Sequence, residues 1–439
     1  KDISRHGADA INLTLTMNAV EKIIKTSKNN RQKSICFITG VPGAGKTLAG
    51  LDIATQSMSY QKDEHACFLS GNGPLVKVLR EALIRNKAET EHISKKKAEP
   101  QVYAFIQNIH HFRDEYFEDT NAPIEKVVIF DEAQRAWDRE QASKFMNKKS
   151  KVKDFDYSEP EFLISVMDRH PDWCVIICLI GEGQEINTGE AGLNEWFKTL
   201  KEKYPTWNVY CSNNAHPPEN LKVCTQNNLH LSVSLRSFKS ALLSDFVQNV
   251  IDNRSNDANM VYQNLCEQYP IFITRNLAQA KNWVRNKARG SERTGILAHS
   301  NAIRLKPEGI YVKSEIDCTN WFLNSKTDIR SSCALEDCAT EFDVQGLELD
   351  WTVVAWDANL RYNNGWEFFK FSGNRWLNIN NNTDKKYLLN SYRVLLTRAR
   401  QGMIIFIPQG DKYDKTRLPE FYNNIFEYLC ECGVQVLPD

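Results

Sequence analysis

Short apolar runs alternate along this chain with stretches whose apolar positions recur at helical spacing, a rhythm that predicts parallel strands joined by helices. The strand candidates are Ile35–Thr39, Ala66–Ser70, Val102–Phe105, Val127–Phe130 and Cys174–Ile180, then Ile271–Thr274, Gly295–His299, Thr352–Trp356 and Met403–Pro408. Their apolar residues are consecutive rather than alternating, as expected for strands covered on both faces. Two groups of runs imply two sheets, with a junction near residues 233–240 and lobes over 1–235 and 236–439. Three polar stretches read as loops or insertions. These are lysine-rich Arg85–Glu99, Lys144–Lys153 with five lysines, and the Asn- and Gly-rich Asn363–Lys386, which also holds Trp366, Phe368, Phe369, Phe371 and Trp376. The chain shows no internal sequence repeat.

Length and composition narrow the class. At 439 residues the chain suits two or three domains of about 100–200 residues each. An apolar fraction of 42% and a charged fraction of 25% are those of a globular protein. No run approaches the roughly 18–20 apolar residues that span a bilayer, and no signal peptide is expected. The expectation is a cytoplasmic protein without a membrane partner. Lys1 in place of a start methionine suggests a piece of a longer or processed chain. Net charge is zero, so the totals demand no polyanionic partner, although a local basic groove is compatible with them. The twelve cysteines contain no CxxC pair, and several lie inside apolar runs, where cysteine acts as a small hydrophobe. They read as reduced thiols.

Gly40-Val-Pro-Gly-Ala-Gly-Lys-Thr47 meets the phosphate-loop pattern GxxxxGK[ST]. The strand before it and a helix predicted from Lys46 to about Ser57 supply the context that pattern needs. The glycine-rich turn over Gly40, Pro42, Gly43, Ala44 and Gly45, continued by Leu48, can wrap a triphosphate with its backbone N–H groups (Pro42, which has none, shapes the turn) and the positive end of the helix. Lys46 would reach the β- and γ-phosphates, and the Thr47 hydroxyl would hold Mg²⁺. About 85 residues on, Val127-Val-Ile-Phe-Asp-Glu-Ala-Gln134 is an apolar strand ending in an acidic pair. There Asp131 suits Mg²⁺ coordination through water, and Glu132 suits the general base that polarises an attacking water.

Further motifs follow in order, and with them the chain resembles a superfamily 1 helicase. Asp131-Glu-Ala-Gln134 is similar to motif II, and Cys178-Leu-Ile-Gly-Glu-Gly-Gln-Glu-Ile186 to motif III, with Glu182 where aspartate is usual. Leu235-Arg236-Ser237 resembles the arginine motif that opens the second lobe. Thr340-Glu-Phe-Asp-Val-Gln-Gly-Leu-Glu348 resembles motif V, with Phe342 at a position where many relatives keep histidine or aspartate. Tyr392-Arg-Val-Leu-Leu-Thr-Arg-Ala-Arg400 resembles motif VI. A closer likeness, from about residue 34 to 408, is to a mostly bacterial DNA/RNA-helicase-like family akin to the helicase part of Schlafen-type proteins. It is carried by Phe68–Leu75, Asp131–Trp137, Gly181–Asn187 and Asn390–Arg398.

The resemblance implies an α/β fold of two RecA-like lobes with parallel sheets, the P-loop core of superfamily 1, plus loop insertions. It implies ATP and Mg²⁺ as cofactors, single-stranded DNA or RNA as partner, an effector domain or partner protein outside the chain, and a role in defence against foreign nucleic acid. Gln184 would sense the γ-phosphate, Glu348 would contact the nucleotide, and Arg236 and Arg398 would reach the transferring phosphate. Such an arginine is worth about 10³–10⁵ in rate. Asn12–Ala19 lacks the glutamine that reads adenine in superfamily 1, which leaves the base preference open.

Nucleic-acid contacts are expected at Ser70 and Asn72, at His110 after a motif Ib-like run, and at Trp366 and Trp376 through base stacking. His110 and the tryptophans each have a structural counterpart: a satisfied structural histidine, a satellite core under a long loop. The lysines of 144–153 fit either a solvated loop or a phosphate track. Two functions fit the whole: an ATP-driven helicase or translocase, and an ATP-driven switch that gates a partner without translocation. A binding-only module is disfavoured by the intact Lys46, Asp131, Glu132 and Arg398.

Overall fold

The computed structural model describes residues 8–40, 45–60, 65–149, 155–181, 192–231 and 235–438, with backbone only at 8–11, 56–60, 147–149, 235–238 and 240. Contacts divide the chain into two compact units, Lys1–Phe238 and Lys239–Asp439. Each is a RecA-like α/β lobe.

In the first unit the helices are α1 (Ala8–Asn30), α2 (Lys46–Tyr60), α3 (Gly73–Thr90), α4 (Lys95–Phe105), α5 (Ile109–Glu118), α6 (Arg139–Lys149), α7 (Glu159–Met167) and α8 (Gly192–Glu202). The strands are β1 (Lys33–Gly40), β2 (His65–Ser70), β3 (Ile106–Asn108), β4 (Glu125–Asp131), β5 (Cys174–Gly181), β6 (Asn208–Cys211), β7 (Val223–Thr225) and β8 (His230–Leu231). They form one parallel sheet in the order β3-β2-β4-β5-β1-β6-β7, with β8 also pairing β1.

The consecutive apolar runs arise because each strand feeds two cores. Ile35, Phe37, Val128, Phe130, Ile176 and Cys178 face one core with Phe112 of α5, Leu163 of α7 and Trp196 of α8. Their neighbours Cys36, Ile38, Val127, Ile129, Val175 and Ile177 face the other with Val20 of α1, Ala49 and Ile53 of α2 and Val76 of α3. Period-two geometry sends alternate side chains to opposite faces, so a strand buried on both sides must be apolar throughout. All twelve cysteines are free, and burial pushes the thiols of Cys36, Cys67 and Cys178 well up.

The second unit continues with α9 (Leu235–Ile251), which begins before the contact boundary, then α10 (Ser255–Leu265), α11 (Leu277–Lys287), α12 (Cys318–Leu323), α13 (Asn382–Leu396) and α14 (Glu420–Glu431). Strands β9 (Ile271–Thr274), β10 (Thr294–Ala298), β11 (Cys338–Ala339), β12 (Leu349–Ala355), β16 (Ala399–Phe406) and β17 (Gln435–Val436) form a parallel sheet in the order β11-β10-β12-β16-β9-β17. One of its cores joins Ile296, Val353, Ile404 and Phe406 to Ala280 and Val284 of α11. Between β12 and α13 lie β13 (Leu360–Tyr362), β14 (Trp366–Ser372) and β15 (Arg375–Asn378), a separate antiparallel sheet.

Three expectations change. Val102–Phe105 is the last turn of α4, and strand pairing begins only at Ile106. Buried Ala98, Val102 and Phe105 recur at helical spacing, and a four-residue apolar window hides that period. Arg85–Glu99 is not a loop: its first half completes α3 with the i,i+4 ion pairs Arg85–Glu81 (2.6 Å) and Lys87–Glu91 (2.9 Å), and Lys95 opens α4. Asn363–Lys386 is ordered into β14, β15 and the first turns of α13. Of the 144–153 lysines, Lys144 is on α6, and 150–154 lie outside the described residues. No helix among the described residues is long and apolar enough to cross a membrane.

Docking of α2 on the sheet needs a glycine. A Cβ on Gly50 would stand 2.6 Å from Leu179 Cδ1, 3.0 Å from Phe68 Cε2 and 3.1 Å from Ile129 Cγ2, all in the core. Helix propensity alone favours alanine there by about 1 kcal/mol, while overpacking costs about 1–3 kcal/mol. Gly50→Ala is therefore expected to lower the denaturation midpoint of the chain, and an unchanged or raised midpoint would show that α2 can lift off the sheet without cost.

Candidate nucleotide-binding site

Register sets the site. Gly40 of β1 is paired with Gly181 of β5, Phe130 of β4 with Cys178 of β5, and Ser70 of β2 with Asp131 of β4. All these strands run parallel, so their carboxyl ends emerge along one edge, where α/β sheets take their ligands.

At the end of β1, Val41–Ala44 lie outside the described residues, so Pro42, Gly43 and Ala44 are not placed. Gly45 follows with φ +81°, a left-handed conformation, and α2 starts at Lys46. The Lys46 ammonium donates to the Gly40 carbonyl at 2.7 Å. One residue on, the Thr47 hydroxyl donates to Asp131 Oδ2 at 3.1 Å, with Oδ1 at 3.4 Å. Leu48 continues the first turn of α2.

Asp131 is only 2% exposed. Burial pushes its carboxyl up to about 7; the neighbouring Glu132 charge adds to this, while the Thr47 hydroxyl and the Lys46 ammonium oppose it. A hydroxyl beside a buried carboxylate is a hard oxygen pair of the kind Mg²⁺ takes, and a divalent cation there would restore the ionised form. Thr47 and Asp131 fit the metal role in donor chemistry.

Glu132 sits in left-handed backbone, φ +54° and ψ +43°. For a non-glycine residue this costs on the order of 1 kcal/mol and needs surrounding structure to hold it. The turn is held from several directions. Arg135 N–H donates to the Glu132 carbonyl at 2.9 Å, and the Trp196 indole N–H of α8 donates to the Ala133 carbonyl at 2.9 Å. Gln134, 3% exposed, bridges inward: its amide nitrogen donates to Glu132 Oε2 at 2.5 Å, and its amide oxygen accepts from Gly181 N–H at 2.9 Å. The space beside Gly181 is filled by this group, since a Cβ there would meet Gln134 Nε2 at 3.1 Å, Glu132 Oε2 at 3.3 Å and Lys46 Cε at 3.7 Å. The structure thus brings together Lys46, Thr47, Asp131 and Glu132, with Gly40 at the start of the loop.

Sequence reading assigned Gln134 no role, although it closes the DEAQ run. Its signal was polarity at the end of a buried strand. A second unassigned group lies on β1: Thr39 Oγ1 is 2.8 Å from both Ser212 Oγ and His230 Nδ1, which ties β1 to the segment after β6 and to β8.

Other expected residues sit elsewhere or are occupied. Gln184 and Glu182 lie outside the described residues. Arg236 is in the first turn of α9, and its side chain is likewise outside them. In the second unit Arg398 is 6% exposed between α13 and β16, its Nε donating to the Val394 carbonyl at 3.2 Å. Glu348 forms an ion pair with Arg400 at 2.8 Å. In the same motif V-like stretch, buried Glu341 accepts from Ser300 N–H at 2.8 Å and from Ser300 Oγ at 2.7 Å, fixing the chain that leaves β10.

Among the expected nucleic-acid contacts, Ser70 is fully buried and accepts from Asn72 N–H at 3.2 Å; Asn72 caps α3 by accepting from Leu75 N–H at 3.2 Å. His110 lies against Trp137 (centroids 4.7 Å) and Phe145 (5.3 Å), beside the buried Arg113–Glu159 pair. Trp366 is 8% exposed, stacks on Trp356 at 5.5 Å and donates its indole N–H to the Val250 carbonyl. Trp376 donates to the Thr416 carbonyl at 2.8 Å. Both tryptophans take part in the second unit's own packing, Trp366 buried and Trp376 half-buried.

A phosphate loop and a strand-end acid pair on one RecA-like sheet, with a second such sheet behind in sequence, define the helicase-like class of P-loop proteins. Residues 33–409 match the Schlafen group 3 DNA/RNA helicase domain, and the chain belongs to that family. The crystal structure of the Pyrococcus furiosus Hef helicase domain aligns with 89% of this chain and 95% of its own at 11% identity, with a TM-score of 0.30, a likeness too slight to carry an argument. No curated protein matches the chain.

If Gln134 holds the Glu132 carboxylate in place, Gln134→Ala should lower nucleotide hydrolysis by about 10²-fold, the lower end of what a positioned general base contributes, with nucleotide affinity little changed. Single-turnover hydrolysis beside calorimetric nucleotide binding measures both. Loss of binding equal to the loss of turnover would instead mean that Gln134 only supports the fold of the site.

Proposed function

We propose that the chain is a superfamily 1-type motor that hydrolyses ATP with Mg²⁺ and acts on single-stranded DNA or RNA. The observation that carries this reading is the Lys46–Thr47–Asp131–Glu132 group at the carboxyl edge of β1 and β4, in a member of a DNA/RNA helicase domain family. Lys46 would bind the phosphates, and Thr47 and Asp131 would hold the metal. Bound Mg²⁺ would neutralise charge on the phosphate oxygens.

The chain's own residues do the rest. Glu132, set by its left-handed turn and by Gln134, takes the proton from the attacking water. Arg236 and Arg398 stabilise the charge that spreads over the transferring phosphoryl group, and Gln184 and Glu348 report the state of the nucleotide. Their assignment rests on their positions in the helicase motifs. The family resemblance supports a role in defence against foreign nucleic acid, exerted through an effector domain or partner.

The reading is tested by hydrolysis measured with and without single-stranded DNA and RNA. Lys46→Ala should abolish nucleotide binding. Glu132→Gln should keep binding and stop turnover, and Arg398→Ala should slow turnover by about 10²-fold or more with a smaller effect on binding. Stimulation of the wild type by either polymer, lost in Gln184→Ala while basal hydrolysis persists, is the outcome expected of a motor. Hydrolysis that neither polymer changes would replace the motor with an ATP-driven switch.

A further inference from the structure

The aromatic stretch Trp366–Trp376 is divided by its own sheet into two unlike faces. Residues directly opposed across antiparallel strands share a face. Arg361 with Glu367, and Phe371 with Trp376, lie on one; Leu360 with Phe368, Lys370 with Leu377, and Ser372 with Arg375 lie on the other.

The first face is closed. The Arg361 guanidinium, 9% exposed, lies 3.5 Å from the centroid of Phe421, 4.1 Å from Phe369 and 5.1 Å from Trp376. Arg304 covers Phe371 at 5.5 Å. These contacts fasten the sheet to the body of the second unit.

The second face is closed only at its β13 end, where Leu360 and Trp366 are buried. Beyond Phe368 it is open, with Lys370, Ser372 and Arg375 exposed. Lys385 of α13 sets its ammonium 5.6 Å from the centroid of the half-buried Phe368 ring. Counted along β14, Lys385 stands over position 368, Lys370 at 370, and Arg375 opposite 372. Two residues of strand advance about 6.6–6.8 Å, so the register positions of the three cations step along the sheet at about that interval, Arg375 one strand to the side on β15 and Lys385 reaching in from α13. Among the described strand residues no carboxylate lies on this face, Glu367 being on the other, while the exposed Asp384 precedes Lys385 on the first turn of α13.

We propose that this open half-face of β14 and β15 is a contact surface for single-stranded nucleic acid, with Lys385, Lys370 and Arg375 engaging successive phosphates. The inference rests on the reading of the chain as acting on single strands and adds where the second unit grips them. A row of cations on a sheet fastened by Arg361 is ordered before the polymer arrives, so less freedom is lost on binding than for lysines on a loop. Contacts of this kind carry affinity and not sequence choice.

The test is a triple variant, Lys370→Ala/Arg375→Ala/Lys385→Ala, titrated by anisotropy against fluorescein-labelled oligothymidylate and oligouridylate over a range of salt. Its denaturation midpoint serves as the check on folding, and Lys370→Ala/Arg375→Ala, which leaves the Phe368 contact intact, stands in should the triple variant unfold. The expected result is affinity weaker by about tenfold or more and a log–log salt slope shallower by about 2, near 0.7 for each phosphate contact removed. Hydrolysis without polymer should equal that of the wild type. A folded variant that keeps wild-type affinity and slope overturns the surface while leaving the motor reading intact. A wild type that binds neither oligonucleotide overturns both, and so does one that binds only phosphatidylserine vesicles through these residues.

Discussion

Everything in the first unit depends on β1 being buried on both faces and paired in parallel along both edges. Ile35 to Ile38 are shielded from water on either side, so the backbone amides of the strand must find partners in neighbouring strands. They find them in β5, β6 and β8. Parallel pairing in register then leaves no choice about where the strand ends emerge. Gly40 arrives beside Gly181, and Asp131 reaches the same edge through the pairing of β4 with β5. The candidate nucleotide site is thus a product of sheet geometry before any of its side chains is considered.

Two buried acids near that edge show how partners separate structure from chemistry. Glu159 has burial pushing its carboxyl up, yet it is met by the Trp137 N–H at 2.9 Å and the Arg113 guanidinium at 3.3 Å. Such a pair is satisfied by the protein itself and holds the chain after the DEAQ turn. Asp131 is equally buried, but its short contact is with a hydroxyl, and its nearest acidic neighbour, Glu132, repels it. The Thr47 hydroxyl and the Lys46 ammonium favour its charged form without offsetting burial, and a divalent cation would suit it.

The strands that carry the site were legible because their apolar residues were continuous and their exits were marked by glycine or an acidic pair. Asp131, Lys46 and Thr47 could be named from spacing alone, since a phosphate loop constrains backbone and side chain together. Gln134 was not legible as a bridge, because nothing local says that its amide meets a strand some 50 residues later. The 363–386 stretch misled in a different way. Its Asn and Gly mark tight turns, with Asn364 and Gly373 at positive φ, and the aromatic residues between them form the sheet itself. Trp366 and Trp376 read as base-stacking candidates from the sequence; the fold adds that each indole N–H meets a carbonyl of its own unit, which an isolated aromatic run does not reveal.

The pairing of β8 with β1 has a temporal side. Thr39 meets His230, and the backbones pair at Thr39–His230 and Gly40–Leu231, across some 190 residues of chain. During synthesis at about 5–20 residues per second, the strand leading into the phosphate loop waits on the order of ten to forty seconds for that neighbour. A nascent chain therefore carries the complete GxxxxGKT stretch long before it carries the edge that steadies it. The pairing of β1 along this edge is completed only after residue 231 has been made.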